Sequence, residues 1–455
     1  MIRVLLLAVL MLGPVAEAQL LPGTPLPSLP GGLPGGLPDR LPGDLPTGAG
    51  LGSLARQPAG ALTEEVGQLE RARKLRIELM LRRHPDVIEA DPDGNPIVRG
   101  EVLAFSPADP ALARALGAGF SILRERALGA VGVRIVVLGI PARMTTSRAL
   151  SLLRRWDPAG TYDYNNIYTE SGMTAGRATL PAGIAGSPAA RATALGLVDG
   201  GVGIAPPVFR ADVIHRHGCG GAVVPSVHST EVASLMVGRS AQFGGAAPGA
   251  ALYAADVYCG RPTGGAVDAI AEALEWLAEE RVPVINMSLV GPPNMLLQQV
   301  IAQLVARGYL IIAAVGNDGP AAPPLYPAAY PGVVGVTAVD VRHRVIFEAE
   351  RGPQVMFAAP GAGIPAATLP DGFGTVRGTS FAAPVVAGLL AKELASLEYG
   401  SEPGPLPRMD PAAARAAVDA LARAAIHLGA PGRNAVFGYG LVGADLPSPR
   451  PAPGK

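Results

Sequence analysis

Cysteine is nearly missing from this 455-residue chain. There are two, Cys219 and Cys259, too few for a disulfide-scaffolded miniature fold, so stability must come from a hydrophobic core. Aromatic residues reach only 5% and charged residues 16%. The charges balance, with 37 Lys+Arg against 37 Asp+Glu, which gives no basic face for nucleic acid. Past the N-terminus no segment runs to about 18 unbroken apolar residues, so no membrane span is expected. No Gly-x-Ser-x-Gly turn occurs, which removes the nucleophile elbow of esterases and lipases. No acidic, oxygen-rich loop suggests calcium, and no metal or other cofactor is expected.

Apolar and small residues are plentiful: 49% of the chain is hydrophobic, and there are 59 Gly and 46 Pro. This length and composition suit two or three domains with a sizeable core. Residues 1–18 have Arg3, the apolar run Val4 to Leu12 and Ala16-Glu17-Ala18, the pattern of a cleavable export signal. Residues 19–60 repeat Leu-Pro-Gly units and are expected to be a disordered or polyproline-like linker. Residues 61–94 carry an amphipathic helical pattern with Val66, Leu69, Ile77 and Leu81 among charges. Residues 95–168 alternate as βαββαβ, the split βαβ arrangement. Residues 169–189, rich in Gly, Ala and Ser, are expected to be a linker, residues 190–444 an α/β domain, and 445–455 a disordered tail.

Within that α/β region, Gly378-Thr379-Ser380-Phe381-Ala382-Ala383-Pro384 precedes an apolar helix. Gly378 permits a tight turn, and Pro384 suits a first helical turn. Ser380 therefore sits where free N–H groups and the positive helix end face developing negative charge. The plain reading is an N-cap serine. A serine nucleophile also needs a base and a group that orients it. Asp199 ends the apolar run Ala194 to Val198, the carboxyl end of a predicted buried strand. His228 opens the helical pattern His228-Ser229-Thr230-Glu231-Val232-Ala233-Ser234. His217-Gly218 competes less well as the base because glycines follow it. Asn317 follows the strand-like Leu310 to Val315 in a turn that presents its amide.

Gly-Thr-Ser-x-Ala-Ala-Pro closely resembles the nucleophile motif of the subtilisin-like serine proteases, the subtilases. His228 to Ser234 resembles that family's His-Gly-Thr-x-Val-Ala-Gly, with Ser229 and Ser234 replacing glycines. Asp199-Gly200-Gly201 resembles its Asp-Thr-Gly or Asp-Ser-Gly, with the hydroxyl side chain lost. The order Asp, His, Ser is also the family's. The resemblance implies a parallel sheet with helices on both faces, preceded by a small ferredoxin-like prodomain. It implies an exported serine endopeptidase in which Ser380 attacks, His228 is the base and Asp199 orients it. Asn317 would stabilise the oxyanion, in the place of the family's Ala-Ala-Gly-Asn. Ser288, Leu289, Val290 and Gly291, with Ala313 and Gly316, would bind the substrate, and their small or apolar character favours an uncharged, hydrophobic side chain before the cut. Partners implied are protein or peptide substrates and the chain's own residues 95–168, removed by cleavage between Tyr164 and Gly172.

Two alternatives stay open: a non-enzymatic surface or scaffold protein that keeps the fold, and a protease that cuts only itself. Cys219 and Cys259, an even pair in an exported chain, are expected to form a disulfide. The competing thought is a metal held by Asp212, His215, His217 and Cys219, disfavoured because the neighbouring glycines argue for a loop.

Overall fold

Apolar runs of five residues such as Leu195–Asp199, Leu252–Asp256 and Leu310–Ala314 are too short for helices and too apolar for an exposed sheet. In the computed structural model of the chain, which describes residues 59–178, 194–240, 243–399 and 409–446, they are buried strands of a seven-stranded parallel sheet. The export-signal pattern, residues 19–58 of the linker and residues 447–455 of the tail lie outside the described residues.

The sheet order is Val355–Pro360, Val334–Val339, Leu310–Ala314, Val284–Met287, Leu195–Asp199, Leu252–Asp256 and Ile214–Gly218. Helices Val227–Val237 and Thr379–Tyr399 cover one face, with Pro411–Ala424 behind. Helices Val267–Glu279 and Met295–Ala306 cover the other. The α/β architecture is the one expected. Thr379–Leu397 is, by length and composition, apolar enough to cross a membrane, although Lys392 and Glu393 interrupt its apolar run. In the fold it is a core helix, with 72% of that window buried.

Upstream, the βαββαβ pattern appears as Pro96–Phe105, Asp109–Gly117, Ser121–Leu128, Val133–Gly139, Thr146–Trp156 and Thr161–Asn166. Its five-stranded antiparallel sheet runs Ser121–Leu128, Val133–Gly139, Pro96–Phe105, with Thr161–Asn166 and the short Ile88–Ala90 both pairing with Pro96–Phe105. One face supplies Leu103, Leu128, Ile135 and Val137 to the core shared with helices Val267–Glu279 and Met295–Ala306. Polar contacts fix the fit. Asp163 Oδ2 accepts the Met295 N–H at 2.7 Å, putting an anion at a helix N-terminus. Arg124 bridges Glu101 and Asp268 at 2.6 and 2.8 Å.

Residues 169–178 correct the expected linker. They form the strands Thr169–Glu170 and Met173–Ala178, which pair antiparallel with Leu289–Val290 and Phe373–Arg377. A flexible composition had masked a segment that extends because partners far along the chain complete its backbone hydrogen bonds.

Candidate active site

Three elements converge at the carboxyl end of the central strand. Asp199 ends that strand, His228 lies in the first turn of helix Val227–Val237, and Ser380 opens helix Thr379–Tyr399. All three are buried. His228 Nδ1 lies 3.2 and 3.1 Å from the two Asp199 carboxylate oxygens, and His228 Nε2 lies 3.0 Å from Ser380 Oγ. A carboxylate can only accept, so Nδ1 carries a proton, and in the neutral imidazole Nε2 is left to accept from the serine hydroxyl.

Asp199 is held by more than His228. Its Oδ1 accepts the Gly200 N–H at 2.8 Å and the Ser229 hydroxyl at 2.9 Å. A Cβ on Gly200 would meet that same Ser229 Oγ at 2.7 Å. The two departures from the family pattern, a hydroxyl lost after Asp199 and one gained after His228, are therefore one exchange across a single space. Burial alone would lower the His228 pKa. The charge and hydrogen bond of Asp199, then Glu170 and Glu231, overcome this and raise it to about 9.

Gly378 needs to be glycine here: its φ is +144°, and a Cβ would stand 2.8 Å from the Gly172 Cα and 3.2 Å from Asn317 Nδ2. The Thr379 N–H donates to Asn317 Oδ1 at 3.0 Å, which orients the amide so that Nδ2 faces the site. Nδ2 donates to the Ser171 hydroxyl at 2.8 Å, and the Ser380 N–H donates to the Ser171 carbonyl at 3.2 Å. The chain's own Glu170-Ser171-Gly172 thus lies across the serine.

The residues expected to bind substrate take different positions. Leu289 and Val290 pair with Glu170 and Thr169. Gly291 faces the ring of Tyr168, which a Cβ would approach to 2.6 Å. Ser288 instead donates its hydroxyl to the Ser380 carbonyl at 2.9 Å. Ala313 is buried within its strand, and Gly316 leads from that strand into Asn317, its N–H donating to Thr379 Oγ1 at 3.2 Å. Cys219 and Cys259 are disulfide-bonded with Cα atoms 5.3 Å apart. The loop expected around His215 and His217 is the edge strand Ile214–Gly218, and the two rings stack on Tyr253 and Trp276.

Sequence reasoning missed Glu170, Ser171 and Glu231. Glu170 receives the Ser226 hydroxyl at 3.1 Å and lies 4.0 Å from His228 Nδ1. Burial, then the charge of Asp199, raises its pKa. The one available signal for Glu231 was an acid at the variable position of the histidine motif.

Comparison with known proteins agrees with this geometry. The subtilase family model matches residues 225–440, a span that leaves Asp199 to be placed by geometry. The minor extracellular protease Epr of Bacillus subtilis (strain 168) is 30% identical over 219 residues, 47% of this chain and 32% of that protein. The subtilisin of Bacillus pumilus is 36% identical over 173 residues, 36% of this chain and 62% of that protein. The chain thus spans less than two thirds of the length of either relative. Fervidolysin from Fervidobacterium pennivorans, a keratinolytic enzyme related to subtilisin, shares the fold, with a TM-score of 0.62 at 18% identity, covering 79% of this chain and 62% of that one. Over residues 225–440, the chain is similar to the subtilase family.

Proposed function

We propose that the protein is an exported serine endopeptidase made as a zymogen, which cuts its own Ser171–Gly172 bond and then other polypeptides. The observation that carries this reading is the Ser171 carbonyl on the Ser380 N–H, with His228 between Ser380 Oγ and Asp199. Ser380 Oγ attacks the Ser171 carbonyl carbon while His228 Nε2 takes the hydroxyl proton. The oxyanion is held by the Ser380 N–H and, after a small rotation, by Asn317 Nδ2, now on the neighbouring hydroxyl. The C–N bond breaks, the Gly172 amine leaves with the proton from His228, and water hydrolyses the acyl-enzyme by the same route. Asp199 orients the imidazole throughout.

Residues 95–168 then serve as folding partner and inhibitor, held by the apolar interface and by the strand pairing of Thr169–Glu170. The N-terminal signal pattern, the disulfide and a relative described as extracellular support export. In the Ser380→Ala variant, activity on peptides is expected to fall by about 10⁴- to 10⁶-fold, and the chain should accumulate uncut. N-terminal sequencing checks this, since the processed wild type should begin at Gly172. A variant that is processed normally and still reacts with a serine-directed phosphonate removes Ser380 as nucleophile. A wild type that neither labels nor cuts is a scaffold.

A further inference from the structure

Beyond the Ser171–Gly172 bond the chain runs extended along Phe373–Arg377, with Thr174 opposite Val376 and Met173 opposite Arg377. Side chains alternate along such a strand, so residues 172 and 174 face one way and 173 the other. The surroundings follow that alternation. Met173 points outward and is 55% exposed. At Gly172 a Cβ would run into Ser380 Oγ and come within 2.6 Å of the Phe381 ring. At Thr174 the hydroxyl donates to both oxygens of Glu231, at 3.0 and 2.9 Å.

Glu231 lies one turn beyond His228 on the same helix and is fully buried. Its other polar neighbours are Thr368 and, by charge alone and without a direct ion pair among the described residues, His228. A buried carboxylate that meets the substrate path with unused accepting capacity discriminates by what it would be left facing: an apolar side chain there would cover the charge without satisfying it.

We propose that Glu231 is a specificity-determining residue that selects a hydrogen-bond-donating side chain at the third position after the scissile bond. Glycine is preferred at the first position, and the second is unrestricted. The inference rests on the reading that residues 168–178 trace the substrate path of a protease. It assigns Glu231 to substrate recognition, distinct from the bond-breaking roles of Ser380 and His228.

The test uses the self-processed protein and peptides carrying the sequence of residues 168–178, with threonine, serine or valine at the position of Thr174. Valine keeps the shape of threonine and removes the donor. The threonine and serine peptides are expected to exceed the valine peptide in kcat/KM by about 10- to 100-fold. In Glu231→Leu the threonine-to-valine ratio should collapse to near 1, and Glu231→Gln, which keeps an accepting oxygen, should hold an intermediate ratio if the leucine variant does not fold. Equal rates for threonine and valine in the wild type overturn the inference and leave the protease reading intact. A wild type that cuts none of the peptides and leaves its own Ser171–Gly172 bond whole overturns both.

Discussion

Residues 167–171, on the N-terminal side of the Ser171–Gly172 bond, are buried or half-buried, whereas residues 172–174 just beyond it are exposed. The N-terminal side is anchored by Tyr168, whose ring is fully buried beneath Gly291 and whose hydroxyl donates to the Pro292 carbonyl at 2.6 Å. It is also continuous with the sheet whose apolar face packs on the α/β domain. The other side is held by pairing with one strand and by the Thr174–Glu231 contact. On the proposed zymogen reading, the side with little buried surface is expected to release first once the bond is cut, and the buried side to stay as an inhibitor. That reading assigns inhibition to Tyr168 and its neighbours, and turnover to the open side.

That contrast is most exposed to a change at Tyr168. Tyr168→Ala removes a fully buried aromatic side chain, a loss of about 3–5 kcal/mol in comparable cores. The cleaved N-terminal fragment is expected to inhibit about 10²- to 10³-fold less tightly, so that freshly processed protein hydrolyses a peptide at once. Titration of peptide hydrolysis against the fragment gives the constant. An unchanged constant would shift the anchoring to the apolar sheet interface and break the comparison.

A smaller effect separates the two sides by charge. Glu170 belongs to the buried side and is one of the groups that raise the His228 pKa to about 9, after the opposing effect of burial and the dominant pull of Asp199. His228 must be neutral to act as base, so activity rises with pH as the imidazole loses its proton. With Glu170 in place the rising limb lies further to the alkaline side, and once residues up to Ser171 have left it moves toward neutral pH. Glu170→Gln should therefore process itself faster than the wild type at neutral pH and at the same rate well above pH 9. Rates of self-cleavage followed by mass spectrometry across pH decide the matter. Parallel profiles for both proteins would mean that Glu170 does not act through His228.

The α/β sheet, Asp199, His228 and Ser380 could be read from the sequence because each chemical group sits at the end of a short apolar strand or at the mouth of an apolar helix. There, local pattern and global position coincide. The βαββαβ order could be read for the same reason. The occupant of the cleft could not. Thr169-Glu170-Ser171-Gly172 has no apolar period, and its partners lie at residues 289–290 and 373–377, so only the folded chain supplies the reason for its extension. The strand around Ser288 suggests a substrate contact, whereas its hydroxyl turns inward to the Ser380 carbonyl. Gly200 and Ser229 looked like two separate substitutions, since nothing in the linear order shows that one side chain fills the space of the other.

That exchange leads to the smallest expected effect. Ser229 is fully buried and gives the Asp199 carboxylate one of its hydrogen bonds at 2.9 Å, so it would act through Asp199. Ser229→Ala removes the donor and leaves Asp199 with the Gly200 N–H and His228, a loss of about 1–2 kcal/mol that should lower kcat about tenfold with KM nearly unchanged. Gly200→Ser in the wild type should be harmful, because its Cβ would stand 2.7 Å from Ser229 Oγ and 3.0 Å from Ser226 Cβ. Combined with Ser229→Gly, the same change frees part of that space and puts a hydroxyl back beside Asp199. The double variant is therefore expected to recover most of the kcat that either single change loses, a coupling that steady-state kinetics on one peptide can measure. If the two losses simply add, Ser229 and residue 200 are independent, and the single-exchange account of Asp199 support has to be given up.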